Sequence, residues 1–196
     1  MNILLSLTLL LAPIKAENGR FTIYQDGQRI GTEEYTITPK LGGYSVEGRT
    51  QISTGTQRFD LKSRMELNEQ LKPLSYEFRT EGIVIRLKVA DPVSELEFTG
   101  DGKTESRDVR FPLDGAIIDA NFFHHYQLLL YRAGISGKSI DVFIPRELTV
   151  GQLRVRDAGN RTFELQTSDA KAIATTDADG RMIKLTFPDS KVVVER

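Results

Sequence analysis

The chain has 196 residues, 39% hydrophobic and 27% charged, with 26 Lys and Arg against 27 Asp and Glu and neither Cys nor Trp. These proportions exclude disordered, collagen-like and disulfide-stapled classes. A net charge of -1 gives no broad electrostatic attraction to nucleic acid or anionic lipid, and the length exceeds the roughly 100 residues at which a chain buries a sizeable core without metal or bridges.

Ile3 to Ile14 form an apolar run broken only by Ser6, Thr8 and Pro13 and followed by Lys15 and Ala16. That pattern reads as a secretory signal peptide over residues 1–16. The run is too short to span a bilayer, so no integral membrane span is expected after its removal, and the expected location is periplasmic or secreted. No Cys follows the run to carry a lipid anchor. Residues 17–196 are expected to form a single β-rich domain, because no repeat, low-complexity tract or Pro/Ser-rich linker marks a boundary.

From Phe21 to Thr99 the period is two. Phe59, Leu61, Met65 and Leu67 share one face and charges take the other, which is a half-buried antiparallel strand. Tyr44, Val46 and Ile52 alternate with Ser45, Glu47, Arg49 and Gln51, and Leu74, Tyr76 and Phe78 alternate with Ser75, Glu77 and Arg79. Turn signals at Asp26-Gly27, Gly42-Gly43, Thr54-Gly55, Asp91-Pro92 and Asp101-Gly102 break the run into hairpins. A meander is the simplest topology for such a series.

The pattern changes once, between Asp114 and Gly134, where Ile117 to Ala133 lack Gly, Pro and alternation and predict one helix. Asp119 is its expected N-cap, accepting from the amide of Asn121 or Phe122, and Gly134 its C′ residue. Ile118, Phe122, Phe123, Tyr126, Leu129 and Leu130 fill a wide apolar arc, so the helix is expected to be mostly enclosed. Strands resume at Ile140–Ile144, Leu148–Val155, Thr162–Leu165, Ala172–Thr175, Met182–Phe187 and Val192–Val194, with turns at Asp157–Asn160 and Asp179-Gly180. The fold class that follows is mainly β: a curved antiparallel meander sheet, half-barrel or open barrel, wrapped around one long helix.

Chemistry-bearing residues are few. His124 and His125 are the two histidines; adjacent helical side chains diverge by about 100°, so both cannot face one metal, and no ligand spacing such as His-Glu-x-x-His is present. The expectation is a hydrogen-bonded, semi-buried His125 and a His124 facing solvent or a loop. Helix capping accounts for Asp119 without any reaction. Gly134-Ile135-Ser136-Gly137 lacks the Gly-x-Ser-x-Gly form, and Ser139 has no His nearby in sequence. Asp177-Ala178-Asp179-Gly180 opens like a calcium loop but has Pro188 where the final acidic ligand belongs. Asn160-Arg161-Thr162 is a formal glycosylation sequon. The mixed charges of Arg58, Asp60, Lys62, Arg64 and Glu66 read as the solvated face of a sheet, and the aromatics form no stacking platform interleaved with Lys and Arg, which argues against nucleic acid. Neither a catalytic residue, a metal ligand set nor a cofactor is called for.

A leader, a run of antiparallel strands, one apolar helix and a closing set of strands resemble the bacterial envelope proteins built as a half-barrel around a helix. Asp119-Ala120-Asn121-Phe122-Phe123-His124-His125-Tyr126, with Phe143-Ile144-Pro145 downstream, is similar to uncharacterised exported proteins of that group. The wider group includes the periplasmic lipoprotein carriers, and the resemblance implies a concave apolar face that receives a lipid or a lipoprotein acyl chain. The expected function is binding or carrying of a lipophilic or amphiphilic ligand, lined by Phe59, Leu61, Met65, Tyr76 and Phe78 from the sheet and Phe122, Tyr126 and Leu129 from the helix. The alternative is a non-enzymatic envelope module with a filled core that binds another protein. Mass spectrometry of the protein from its native host is expected to find a mature chain beginning at or near Glu17; an intact Met1 would contradict export.

Overall fold

The computed structural model describes residues 14–133 and 138–196. The expected C′ residue Gly134 and most of the leader lie outside the described residues. Eight strands follow one another as an antiparallel meander: β1 (Glu17–Gln25), β2 (Gln28–Lys40), β3 (Gly43–Thr54), β4 (Gln57–Asn68), β5 (Pro73–Thr80), β6 (Ile83–Lys88), β7 (Ser94–Gly100) and β8 (Lys103–Val109). A two-residue strand β9 (Ala116–Ile117) and the helix α1 (His124–Ala133) come next. The second meander is β10 (Lys138–Ile144), β11 (Thr149–Gly159), β12 (Thr162–Gln166), β13 (Lys171–Thr176), β14 (Met182–Phe187) and β15 (Val192–Glu195). Because β15 pairs with β1, both meanders fuse into one open 15-stranded sheet with β8 and β9 at its edges. All its described pairings are antiparallel except β9 with β10.

Turn chemistry sets the hairpins. Asp26-Gly27 and Asp101-Gly102 have positive φ at both central residues, 49° and 76° in the first and 49° and 72° in the second. That is the turn whose twist matches the flanking strands. The turn expected at Asp157–Asn160 falls slightly later, at Asn160-Arg161, again with both φ positive.

The chain crosses from β8 at one edge to β9 at the other through residues 110–115 alone. Seven Cα steps reach at most about 25 Å. Fifteen strands laid flat would extend roughly 67 Å. The sheet must therefore curl until its edges face each other. Lys72 pairs with Asp114 and Arg132 donates to the carbonyls of Asp114 and Gly115, which holds the connection down. At the β8 edge, Lys103, Glu105, Arg107 and Asp108 are exposed, which disfavours pairing with another strand.

Within the curl lies α1, buried on nearly every side as the wide apolar arc predicts. On one side it meets β1 to β5. On the other, Gln127 donates to the Gly180 carbonyl and accepts from the Met182 amide, and Phe123 and Tyr126 pack on Phe187 of β14. The helix is shorter than expected, beginning at His124 rather than directly after Asp119; the residues between are wound in turns. Leu74 also departs from the expected alternation and is 50% exposed. Leu67 pairs with Pro73 and Glu66 with Ser75, so Leu74 is the extra residue of a bulge and Pro73 takes the inward place.

A lateral row runs across the sheet through Gly19, Tyr35, Gly48, Ser63 and Phe78. Its small members make room for rings. The Tyr35 ring lies over Gly19, and His124 lies over Gly48, where a Cβ would sit 2.2 Å from the imidazole. Gly48→Ala is therefore expected to lower stability by about 2–3 kcal/mol in urea unfolding, and an unchanged midpoint would contradict this seating of the helix.

Candidate functional site

Period two places Glu33, Tyr35 and Ile37 of β2 on the concave face, and Glu33 is wholly buried there. Its carboxylate accepts from the backbone amides of Phe123 and His124, both at 2.7 Å, and from the Thr50 hydroxyl at 2.9 Å. His124 Nδ1 lies 2.9 Å from the same group. The amides at a helix start have no partners within the helix, and an anion there is further favoured by the helix dipole. A carboxylate from a distant strand thus caps α1, and the helix begins where that carboxylate meets it.

Two more buried carboxylates fix the segments on either side. Glu17 accepts from the hydroxyls of Tyr35 and Tyr131 and pairs with Arg196 at 3.0 Å, tying the last turn of α1 to β1 and the chain's end. Burial, then Glu17, push the Tyr35 and Tyr131 hydroxyls well above the usual tyrosine range, so they remain donors. Asp119 accepts from the Asn121 amide at 3.3 Å, as a local cap does, and also from the Tyr76 hydroxyl at 3.0 Å, and it forms an ion pair with Arg146 at 2.8 Å. With its amide oxygen turned toward Arg146, Asn121 accepts from Nη1 at 3.2 Å and Nη2 at 2.7 Å. The Arg146 guanidinium also lies 5.2 Å from the centre of the Phe78 ring.

Beyond the capped end of the helix, none of the described residues covers the concave face. A groove of about 570 Å³ opens there. Phe59, Leu61 and Phe78 lie along it with Ile52, Ile85 and Phe98, and Asn121 and Arg146 form its polar end. Phe59 and Phe98 are 43% and 41% exposed. Between helix and sheet, by contrast, a void lined by Met65, His125 and Leu129 measures about 10 Å³.

The eight residues expected to line one ligand site therefore separate. Phe59, Leu61 and Phe78 meet in the groove. Phe122 packs edge-on against Phe78 at 6.2 Å. Met65 and Leu129 belong to the filled helix–sheet interface, Tyr76 holds Asp119, and Tyr126 packs against Phe187. The histidines differ from expectation more sharply, since both are fully buried. Sequence reasoning did not single out Glu33, Glu17 or Arg146. An acidic residue in phase with the inward Tyr35 and Ile37 of β2 is the available signal for Glu33; Arg146 follows β10 with no pattern to mark it.

Ser63 Oγ is 3.4 Å from His124 Nε2, so Ser63, His124 and Glu33 stand in the order of a nucleophile, base and acid. Ser63 is 5% exposed, and its hydroxyl faces the helix between the outward side chains of Lys62 and Arg64. With Ser63 and His124 almost wholly buried, the trio ties the start of the helix to β2 and β4. No group of His and acidic residues suited to hold a metal occurs among the described residues, and none of their helices is long and apolar enough to cross a membrane.

No protein-family model matches the chain, and no curated protein matches it. A crystal structure of a DUF1089 family protein from Pseudomonas aeruginosa is similar at a TM-score of 0.49 and 14% identity, covering 81% of this chain and 90% of that one.

His125 supplies a pH signature of the helix seat. Its Nδ1 accepts from the Asp119 amide at 3.1 Å, and its Nε2 has no partner among the described residues. Burial first, and neighbouring His124 second, hold its pKa well below the ordinary histidine value. Below about pH 6.5 the unfolded chain binds a proton at this position that the native chain refuses, so stability falls with pH there. His125→Asn keeps an acceptor without the titration. Relative to that variant, the wild type is expected to lose up to about 1.4 kcal/mol per pH unit between roughly pH 6.5 and 5, measured by chemical unfolding; parallel profiles would contradict it.

Proposed function

We propose that the protein is an exported envelope protein that binds the apolar part of a lipophilic or amphiphilic molecule in the open end of its curved sheet. The observation that carries this reading is the groove itself. Scattered exposed apolar residues are ordinary on protein surfaces, but here Phe59 and Phe98 flank one concavity whose floor is Leu61, Phe78 and Ile85. Its volume of about 570 Å³ is that of a small-molecule site, and its composition is mostly apolar with a few convergent polar groups. The leader pattern supports action outside the cytoplasm, and the resemblance to the lipoprotein carriers supports an acyl chain as occupant.

The expectation of a guest lying along the helix is modified. Since α1 is packed against the sheet, the guest occupies the space past its N-terminal end. The filled interface is what the alternative, a protein-binding module, would also have, but that reading leaves the aromatic groove without a use.

Titration with the neutral fluorophore N-phenyl-1-naphthylamine tests the proposal. Fluorescence is expected to rise on binding, and Phe59→Ser or Phe98→Ser to weaken binding by tenfold or more, the equivalent of about 1.5–3 kcal/mol for one buried aromatic side chain. Leu129→Ala is expected to leave affinity unchanged while lowering stability. A wild-type protein that takes up no fluorophore would refute the reading.

A further inference from the structure

We infer that the groove selects an amphiphile with an anionic head, received by Arg146; this rests on the groove being a ligand site. Among the described residues, Arg146 is the one ionisable residue that lines the groove. Its side chain is 33% exposed, whereas its partner Asp119 lies behind it, 1% exposed. A guest entering between Phe59 and Phe98 would therefore meet a cation at the polar end and no opposing carboxylate.

The guanidinium is already held. Nη2 is committed to Asp119 and Asn121, Nη1 donates to Asn121, and the Phe78 ring supports the group from below. Of its five N–H groups, Nε–H and one on Nη1 have no partner among the described residues. Asp119 in turn is restrained by the Tyr76 hydroxyl and the Asn121 amide. Arg146 thus presents unclaimed donors from a fixed position beside an apolar wall, where a charge-assisted hydrogen bond to a carboxylate or phosphate is stronger than in water. The arrangement divides the labour: aromatic and aliphatic side chains receive a tail, and one positioned cation receives the head. A neutral head could accept from the same donors but would gain no charge pairing. A quaternary ammonium would be repelled.

Displacement of N-phenyl-1-naphthylamine at about pH 7.5, where a carboxylic acid is ionised, tests the inference with three probes of matched chain, each below its micelle concentration or solubility limit: dodecanoate, dodecanol and dodecyltrimethylammonium. Dodecanoate is expected to displace at a concentration at least tenfold below that of dodecanol, with the ammonium compound weakest. Added salt should narrow the gap. In Arg146→Gln the carboxylate and the alcohol are expected to become equivalent, and Arg146→Lys to retain part of the preference. The wild-type comparison uses no variant, so it decides the matter even if Arg146→Gln fails to fold once Asp119 loses its partner. Equal or better displacement by dodecanol would overturn the headgroup inference and leave the groove as a site for apolar molecules. Absence of fluorophore binding would remove both readings together.

Discussion

One carboxylate, that of Glu33, determines where the helix begins and thus how the concave face of the sheet is shared between core and groove. A buried acidic group is costly unless every oxygen has donors. Glu33 meets that demand with two helix amides and the Thr50 hydroxyl, with the His124 ring beside it. The same contacts remove a second cost, that of burying the start of a helix with its amides unsatisfied. Each problem is the other's solution. The register follows: with the amides of Phe123 and His124 fixed to β2, the His124 imidazole falls on the notch above Gly48, stacks on Tyr35 at 5.8 Å and reaches Ser63.

Seating at that point divides the interior. Toward the C-terminal side of Glu33, helix side chains fill the curl, and Tyr131 and Gln127 join it to Glu17 on β1 and to Met182 on β14. Toward the other side no described helix lies over the inward residues at that end of β3 to β7, and Ile52, Phe59 and Phe98 are partly or largely exposed among the described residues. The preceding segment crosses this boundary with its polar groups tied by Asp119, Tyr76 and Arg146. Apolar surface at one end of the sheet is therefore a consequence of the helix being anchored at the other. Charge pairs on the convex face, such as Arg49 with Asp60 or Lys184 with Glu195, are exposed and contribute little.

Much of this was legible in the sequence because it rests on local periodicity. Alternation in β4, the Asp-Gly turns and the single break for a helix follow from side-chain geometry and turn stereochemistry. The mainly β class and the curved sheet around one enclosed helix follow from the same signals. What escaped depended on residues brought together from far apart. Glu33 lies about 90 residues from the amides it caps, so the helix start read from Asp119 was placed too early. The bulge at Leu74 turns that one residue outward in favour of Pro73 and leaves Tyr76 and Phe78 inward as expected, a change that pairing register reveals and alternation does not. In the groove, Phe59, Leu61 and Phe78 were anticipated because inward-facing strand positions can be counted; Met65, Tyr126 and Leu129 were assigned to the same lining because a helical wheel does not say how deeply the helix sits. Arg146 follows a strand end with no periodic signature, and only the fold brings it to Asp119.

Hydrogen exchange at the amides of Phe123 and His124 tests the anchoring role of Glu33 most directly. In the wild type these two amides, although at a helix start, are predicted to exchange as slowly as those in the middle of α1, because a buried carboxylate holds them. In Glu33→Ala they are predicted to exchange at least a hundredfold faster while the β3–β4 amides remain protected. Fast exchange in the wild type, or protection that survives removal of the carboxylate, would contradict the account.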